Sequence, residues 1–180
     1  MFLTCAEPLN VGVRHADLNT SHLIRTATAA DVELVAPLLD AYRQFYGRES
    51  DLSTAIRFLS ERLRNDESVV LVATTDSGVA LGFVQLFPSF SSVRAARIYI
   101  LNDLFVTPDA RGQGLGRGLL LEAVSLARTR GASRLKLSTA ATNLPAQHLY
   151  ESLGWVRDND FYEYNLGLEA QHALESRRRE

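Results

Sequence analysis

The stretch from Ile98 to Leu120 reads IYILNDLFVTPDARGQGLGRGLL, and it decides the fold. Ile98 to Val106 is an apolar run rich in β-branched and aromatic residues, the composition of a buried strand. Thr107-Pro108-Asp109 ends the run, because proline cannot donate to a ladder and favours a turn. Arg111-Gly112-Gln113-Gly114-Leu115-Gly116 follows. Beyond it, Leu115, Leu119, Leu120, Val124 and Leu126 are spaced to cover one face of a helix. The order is strand, glycine-rich turn, helix.

That order makes an anion site. The first turn of a helix leaves N–H groups unpaired, and the macrodipole adds partial positive charge there. Glycines let a ligand approach the backbone closely, so a phosphate or pyrophosphate fits. Arg111 and Arg117 can add charge-assisted hydrogen bonds. Two common phosphate loops are excluded by the residues themselves. A Walker loop ends in Gly-Lys-Ser/Thr, where this chain has Gly116-Arg117-Gly118. Gly112, Gly114 and Gly116 are spaced wrongly for a dinucleotide fingerprint.

Upstream, residues 1–20 show no periodicity and read as an extension. A first strand is expected at His22 to Arg25. Thr28 to Asp31 is an Asp variant of the capping box, opening a helix that carries Val32, Val35, Leu38, Leu39 and Tyr42 and ends near Gly47. A second helix starts at Ser50-Asp51, with Leu52, Ile56, Leu59 and Leu63 on its buried side. Ser68 to Thr75 and Val79 to Phe87 are strands around the Asp76-Ser77-Gly78 turn. Downstream, the long helix stops at Gly131 and Arg134 to Thr139 alternates as a half-buried strand. A short helix at Asn143 to Leu153 has Pro145 in its first turn. Trp155-Val156 and Phe161 to Leu166 are expected to be a last pair of strands, followed by a polar tail. The sum is β-α-α-β-β-β-α-β-α-β-β, a mixed α/β (α+β) class with helices flanking about seven strands. The expected division is an extension at 1–20, one domain at 21–167 and a tail at 168–180.

Whole-chain properties narrow the function. The 180 residues carry a net charge of −2, with 46% hydrophobic and 22% charged residues, as in an ordinary globular domain. No global positive field favours nucleic acid. A single cysteine, Cys5, permits no internal disulfide and fits a reducing compartment. No apolar run approaches the roughly 20 residues of a membrane span. The N-terminus lacks a basic region followed by an apolar one, so no signal peptide is expected. These features point to a soluble, cytoplasmic protein.

Two motifs together resemble the GNAT superfamily of N-acetyltransferases. The first is Arg111-x-x-Gly114-x-Gly116 after a strand ending Leu104-Phe105-Val106, similar to that family's coenzyme A pyrophosphate loop. The second is Asn143-x-x-Ala146-x-x-Leu149-Tyr150-Glu151-x-x-Gly154-Trp155. The resemblance covers about residues 22–166 and implies a largely antiparallel sheet splayed between strands 4 and 5. It implies acetyl-CoA as cosubstrate, held by Leu104, Phe105 and Val106 and by Arg111, Gly112, Gln113, Gly114, Gly116 and Arg117. It also implies that Asn143 bonds the pantetheine or phosphate region and that Tyr150 faces the thioester sulfur.

Acetyl transfer to an amine has three requirements. The amine must lose a proton, since a lysine-like ammonium has a pKa of about 10.4. The carbonyl oxygen gains charge and needs a backbone N–H, which a free edge at Leu104 to Val106 offers. The leaving thiolate needs a hydrogen bond or proton, and Tyr150 suits that role first as a donor. Asp103 is the leading candidate for the base, and on a strand it and Asn102 face opposite sides. Glu33, Glu49 or Asp51 binding a cationic amine, and a base acting through water, stay open beside it. His148 reads as a helix-surface residue, Cys5 has no partner histidine nearby, and Arg177-Arg178-Arg179 reads as a solvated end. No cluster has metal-ligand spacing, so no metal is expected.

The expectation is an N-acetyltransferase acting on a small amine, amino acid, polyamine or basic peptide. Tyr42, Phe45 and Tyr46 are candidates for lining the acceptor side. No nucleic-acid or membrane partner is expected, and a homodimer through Phe161, Tyr162 and Tyr164 is a further expectation. The rivals are a coenzyme-binding sensor or interaction domain without catalysis, and a nucleotide-binding protein using the same turn.

Overall fold

The computed structural model describes residues 22–168. The expected extension at 1–20, Cys5 and the arginines at 177–179 lie outside the described residues. The chain divides into two compact units, the first ending at Ser138 and the second beginning at Thr139.

The first unit is built on a sheet of five strands in sequence order: β1 (His22–Thr26), β2 (Val69–Thr75), β3 (Ala80–Ser91), β4 (Ala96–Val106) and β5 (Arg134–Leu137). The first three pairings are antiparallel, and β5 lies parallel to β4. Helices α1 (Val32–Phe45), α2 (Leu52–Arg64) and α3 (Leu115–Thr129) complete it. The strands read as continuous apolar runs because both faces are covered. On one face Val70, Val72, Phe83 and Phe105 pack with Val35, Leu38 and Leu39 of α1 and Ala55 and Leu59 of α2. The alternate residues Leu71, Ala73 and Val84 are also buried, and α3, which buries Leu119, Leu120 and Ala123, packs along β1 to β4.

Local chemistry sets the entry to α1. The Arg25 guanidinium grips both oxygens of Asp31 at 2.9 and 2.6 Å, and the same carboxylate accepts from the Thr28 N–H at 2.8 Å. The capping residues read from the sequence therefore tie the helix start to β1. The arginine, first, and then the threonine hold the Asp31 carboxyl far below the usual carboxylate range.

Asp40 joins α1 to α2. Its buried carboxylate accepts from the Asp51 N–H (2.8 Å), Ser50 Oγ (2.7 Å), Gln44 Nε2 (3.0 Å) and Arg43 Nη1 (3.2 Å). The Asp51 amide leads in lowering its pKa, followed by the Ser50 hydroxyl. Asp40→Ala strands these donors together, and we expect a loss of about 2–3 kcal/mol in urea unfolding at neutral pH. Because the folded-state pKa lies below the unfolded one, this contribution is present above about pH 4 and is lost as pH falls through the folded value. Wild type and variant should therefore converge in stability in acid.

The second unit holds α4 (Leu144–Ser152). The expected strands at 155–156 and 161–166 are not formed, so the described sheet has five strands and not about seven. Phe161, Tyr162 and Tyr164 are 81%, 89% and 89% exposed on irregular backbone. Tyr162, Tyr164 and Leu166 alternate as on one face of a strand, but a strand also needs a partner for its N–H and C=O groups, and among the described residues none pairs with them. No helix among the described residues is long and apolar enough to cross a membrane.

Candidate active site

Strand β4 changes character half-way along. From Ile98 to Leu101 it pairs with β5, and after Leu101 the pairing stops while β3 continues to Val106. At the same point the β3–β4 register slips, with Gln85 opposite Asp103 and Leu86 opposite Leu101. Asn102 is the extra residue of this bulge, exposed between buried Leu101 and Asp103. The expectation that 102 and 103 face opposite ways agrees with this burial.

The free edge beyond the bulge is a row of backbone groups. The Thr107 N–H donates to the Leu81 carbonyl at 2.9 Å, so ladder alternation turns Phe105 and Asp103 toward β3 as well. Leu104 and Val106 therefore aim their backbone groups at the edge that β5 has left. Arg111 Nε donates to the Val106 carbonyl from that side at 3.1 Å, with its guanidinium 5.9 Å from the centre of the Phe105 ring.

The chain then passes through a 3-10 turn, Pro108–Ala110, into the glycine-rich loop. Gln113 Nε2 braces the loop by donating to the Asp109 carbonyl at 3.1 Å. Gly114 is the N-cap of α3 with φ 80° and ψ −3°, a left-handed conformation that costs a residue with a Cβ about 1–2 kcal/mol. The first intrahelical bond runs from the Gly118 N–H to the Gly114 carbonyl at 2.9 Å. Helices usually start on Ser, Thr, Asp or Asn, whose side chain accepts from the first turn. Here the cap has no side chain to do so, and the first-turn N–H groups of Leu115 and Gly116 have no capping acceptor among the described residues. Arg117 lies in the same turn.

On the α1–α2 face of the same strand sits Asp103, 6% exposed. Asn102 Nδ2 donates to its Oδ1 at 3.1 Å, and the Tyr42 hydroxyl of α1 lies beside it, donating to the Asn102 carbonyl at 3.5 Å. Burial pushes the Asp103 carboxyl above its usual range, and the Asn102 amide and then the nearby Tyr42 hydroxyl pull against it. Burial first, and then the Asp103 charge, push the Tyr42 hydroxyl far above an ordinary tyrosine, so it serves as a donor and not as an acid. Tyr42 in turn packs edge-on to Tyr46 at 5.0 Å, and Tyr46 to Phe45 at 5.2 Å. Phe45 and Tyr46 are largely exposed, forming an aromatic rim near the buried acid. Of the other acidic candidates, Asp51 caps α2, its oxygens taken by Ser53 Oγ and by Thr54 N–H and Oγ1, while Glu33 and Glu49 are exposed.

The first unit thus brings together Asp103, Leu104 to Val106 and Arg111 to Arg117. Asn143 and Tyr150 belong to the second unit. There Asn143 caps α4, its Oδ1 accepting from the Ala146 N–H at 3.4 Å and its Nδ2 near Thr139 Oγ1 at 3.4 Å. Tyr150 is half-buried with its ring 6.0 Å from Trp155, and the Trp155 N–H bonds the Tyr150 carbonyl at 3.1 Å. His148 is exposed on α4. The approach of Tyr42 to Asn102 and Asp103 has no signature in the sequence, since only the fold brings residues so far apart in the chain together.

The model of the acetyltransferase (GNAT) family matches residues 35–155 of this chain. The chain is 47% identical over 148 residues to the uncharacterized N-acetyltransferase YhfO of Bacillus subtilis (strain 168), a match spanning 82% of this chain and 99% of that protein. The crystal structure of a probable acetyltransferase is similar with a TM-score of 0.77 at 42% identity, covering 81% of this chain and 97% of the other. The aminoglycoside N-acetyltransferase AAC(6')-Iy, in complex with CoA, shares the fold at a TM-score of 0.68 and 20% identity, over 81% of this chain and 95% of that one.

Proposed function

The chain belongs to the acetyltransferase (GNAT) family, and from that premise we propose that it transfers the acetyl group of acetyl-CoA to a primary amine. One observation carries the reading. The free β4 edge with the Leu104 and Val106 backbone groups runs directly into an α3 N-terminus whose cap is a glycine. The first suits a thioester and its amide-bearing arm, and the second suits a pyrophosphate. The fold shared with an acetyltransferase that binds CoA supports the same cosubstrate.

Bound acetyl-CoA supplies an activated acetyl carbonyl and a thiolate leaving group. The residues of this chain supply the rest. Asp103 takes the proton from the ammonium of the acceptor, and burial makes it a better base than an ordinary carboxylate. The Leu104 or Val106 N–H donates to the oxygen that gains charge as the N–C bond forms and the C–S bond breaks. Arg111, Gly112, Gln113, Gly114, Gly116 and Arg117 hold the phosphates, and Asn143 bonds the pantetheine or phosphate region. Tyr150 donates a hydrogen bond to the departing sulfur, and the second proton, shed by the nitrogen once the N–C bond has formed, ends on that sulfur as the thiol. A buried carboxylate beside the exposed rings of Phe45 and Tyr46 favours a cationic acceptor: a small amine, an amino acid, a polyamine or a basic peptide.

Thermal unfolding with and without acetyl-CoA, followed by thiol release against a panel of amines, tests the reading. Ligand at about 100 times Kd should stabilise the protein by about 2.7 kcal/mol, and thiol release should accompany at least one amine. A shift with no release on any amine would mark a binding module, and no shift would remove acetyl-CoA altogether. Within the active enzyme, Tyr150→Phe should lower kcat by about 10- to 100-fold, the worth of one hydrogen bond to a charged leaving group, with little change in KM for acetyl-CoA. An unchanged kcat would take Tyr150 out of the mechanism.

A further inference from the structure

Gln85 is an anomaly in the core. It is a polar side chain at 0% exposure, and its Oε1 has no hydrogen-bond partner among the described residues, while its Nε2 donates to Ser68 Oγ at 2.9 Å. A buried acceptor left unpaired is costly, and the great majority in folded proteins are served. Gln85 is also the register partner of Asp103 across β3 and β4. Residues directly opposite in an antiparallel pair share a face, with Cβ atoms about 4.5–5.5 Å apart. Phe83 and Phe105, two positions along on each strand and also paired, both lie in the α1–α2 core, so Gln85 and Asp103 point there too.

The surroundings of Asp103 define what is missing. From α1 it meets the Tyr42 hydroxyl, with Tyr46 the next titratable group behind it. On its own strand it meets the Asn102 amide. On this face α2 contributes apolar Ala55 and Leu59. Asn102 serves the carboxylate as a donor, and the neighbouring Tyr42 hydroxyl donates to the Asn102 carbonyl. Once Asp103 has taken a proton, its new O–H needs an acceptor, and the cross-strand neighbour has one unused.

We infer that Gln85 is a positioning residue whose Oε1 accepts the hydrogen bond from protonated Asp103, holding the proton taken from the amine inside the protein until product leaves. The proton moves from the ammonium nitrogen to the Asp103 oxygen, is held between that oxygen and Gln85, and returns to solvent afterwards. The role rests on Asp103 as the base, but the pairing can be measured without turnover.

The test is a pH titration of the Asp103 carboxyl carbon by 13C NMR, the resonance being assigned by its loss in Asp103→Asn. Gln85→Met keeps length and removes the acceptor, so the protonated form loses its partner and the midpoint should fall by about one pH unit. Ser68→Ala leaves Oε1 in place and should leave the midpoint at its wild-type value. Gln85→Glu, which does not depend on the methionine variant folding, should split the titration and carry its upper step above wild type. An unmoved midpoint in Gln85→Met would overturn the pairing. So would a raised one, since it would mean that the amide nitrogen faces the carboxylate. Full activity in Asp103→Asn would end the reading of Asp103 as base while leaving the titration result intact, so the two failures are distinct.

Discussion

Asp103→Asn is expected to lower kcat/KM for the acceptor amine by about 10²–10⁴-fold at neutral pH, the usual worth of a positioned base. Asparagine keeps the shape of the side chain and can still accept from Asn102, so the fold has little reason to change. What it cannot do is take a proton. The loss should therefore depend on pH in a set direction. Wild-type kcat/KM should fall in acid as Asp103 becomes protonated, along a limb displaced above the ordinary carboxylate range because burial raises that group. The variant should lack that limb, and its deficit should shrink as pH rises toward about 10, where a lysine-like amine sheds its own proton. Stabilisation by acetyl-CoA should be the same in both proteins. A raised KM with kcat intact would instead make Asp103 a binding group for the cation and leave the base to a water molecule.

Much of this site was legible from Ile98 to Leu120 because independent local signals coincide there. A β-branched run, a proline break, glycines and a helical leucine spacing all specify the same order of elements. Asp31 and Asp51 were legible as helix starts for the same reason, since capping is chemistry between near neighbours. Three features were not, and each is non-local. Tyr42 reaches Asn102 and Asp103 only because α1 packs against β4. The bulge at Asn102 is a property of two strands in register and leaves no mark on either alone. Phe161 to Leu166 had the alternation of a strand, yet strand formation depends on a partner that the segment itself does not encode. Gln85 carried a faint signal, a lone amide inside the apolar run from Leu81 to Phe87, but its neighbour across the sheet was needed to give it meaning.

Gly114→Ala is expected to weaken acetyl-CoA binding by about 10- to 100-fold, an effect separable from its cost in backbone strain. Gly114 stands at φ 80° with open space where a Cβ would project, so alanine meets no protein atom. Its cost is conformational, about 1–2 kcal/mol if the left-handed turn is kept. Relaxing that strain rotates the peptide groups entering α3, and it is their N–H directions that a pyrophosphate would read. Each charge-assisted hydrogen bond lost is worth about 1.5–3 kcal/mol, which sets the range given for the affinity. Gly131 supplies the control at the other end of the same helix. It has φ 71°, also with open space around the missing Cβ, and it follows the last turn of α3, where no phosphate is expected. Gly131→Ala should therefore lose about the same stability in urea unfolding, while its acetyl-CoA affinity by calorimetry stays that of wild type. Equal affinities in the two variants would mean that the loop shapes only the protein's own backbone and that the phosphates are held elsewhere.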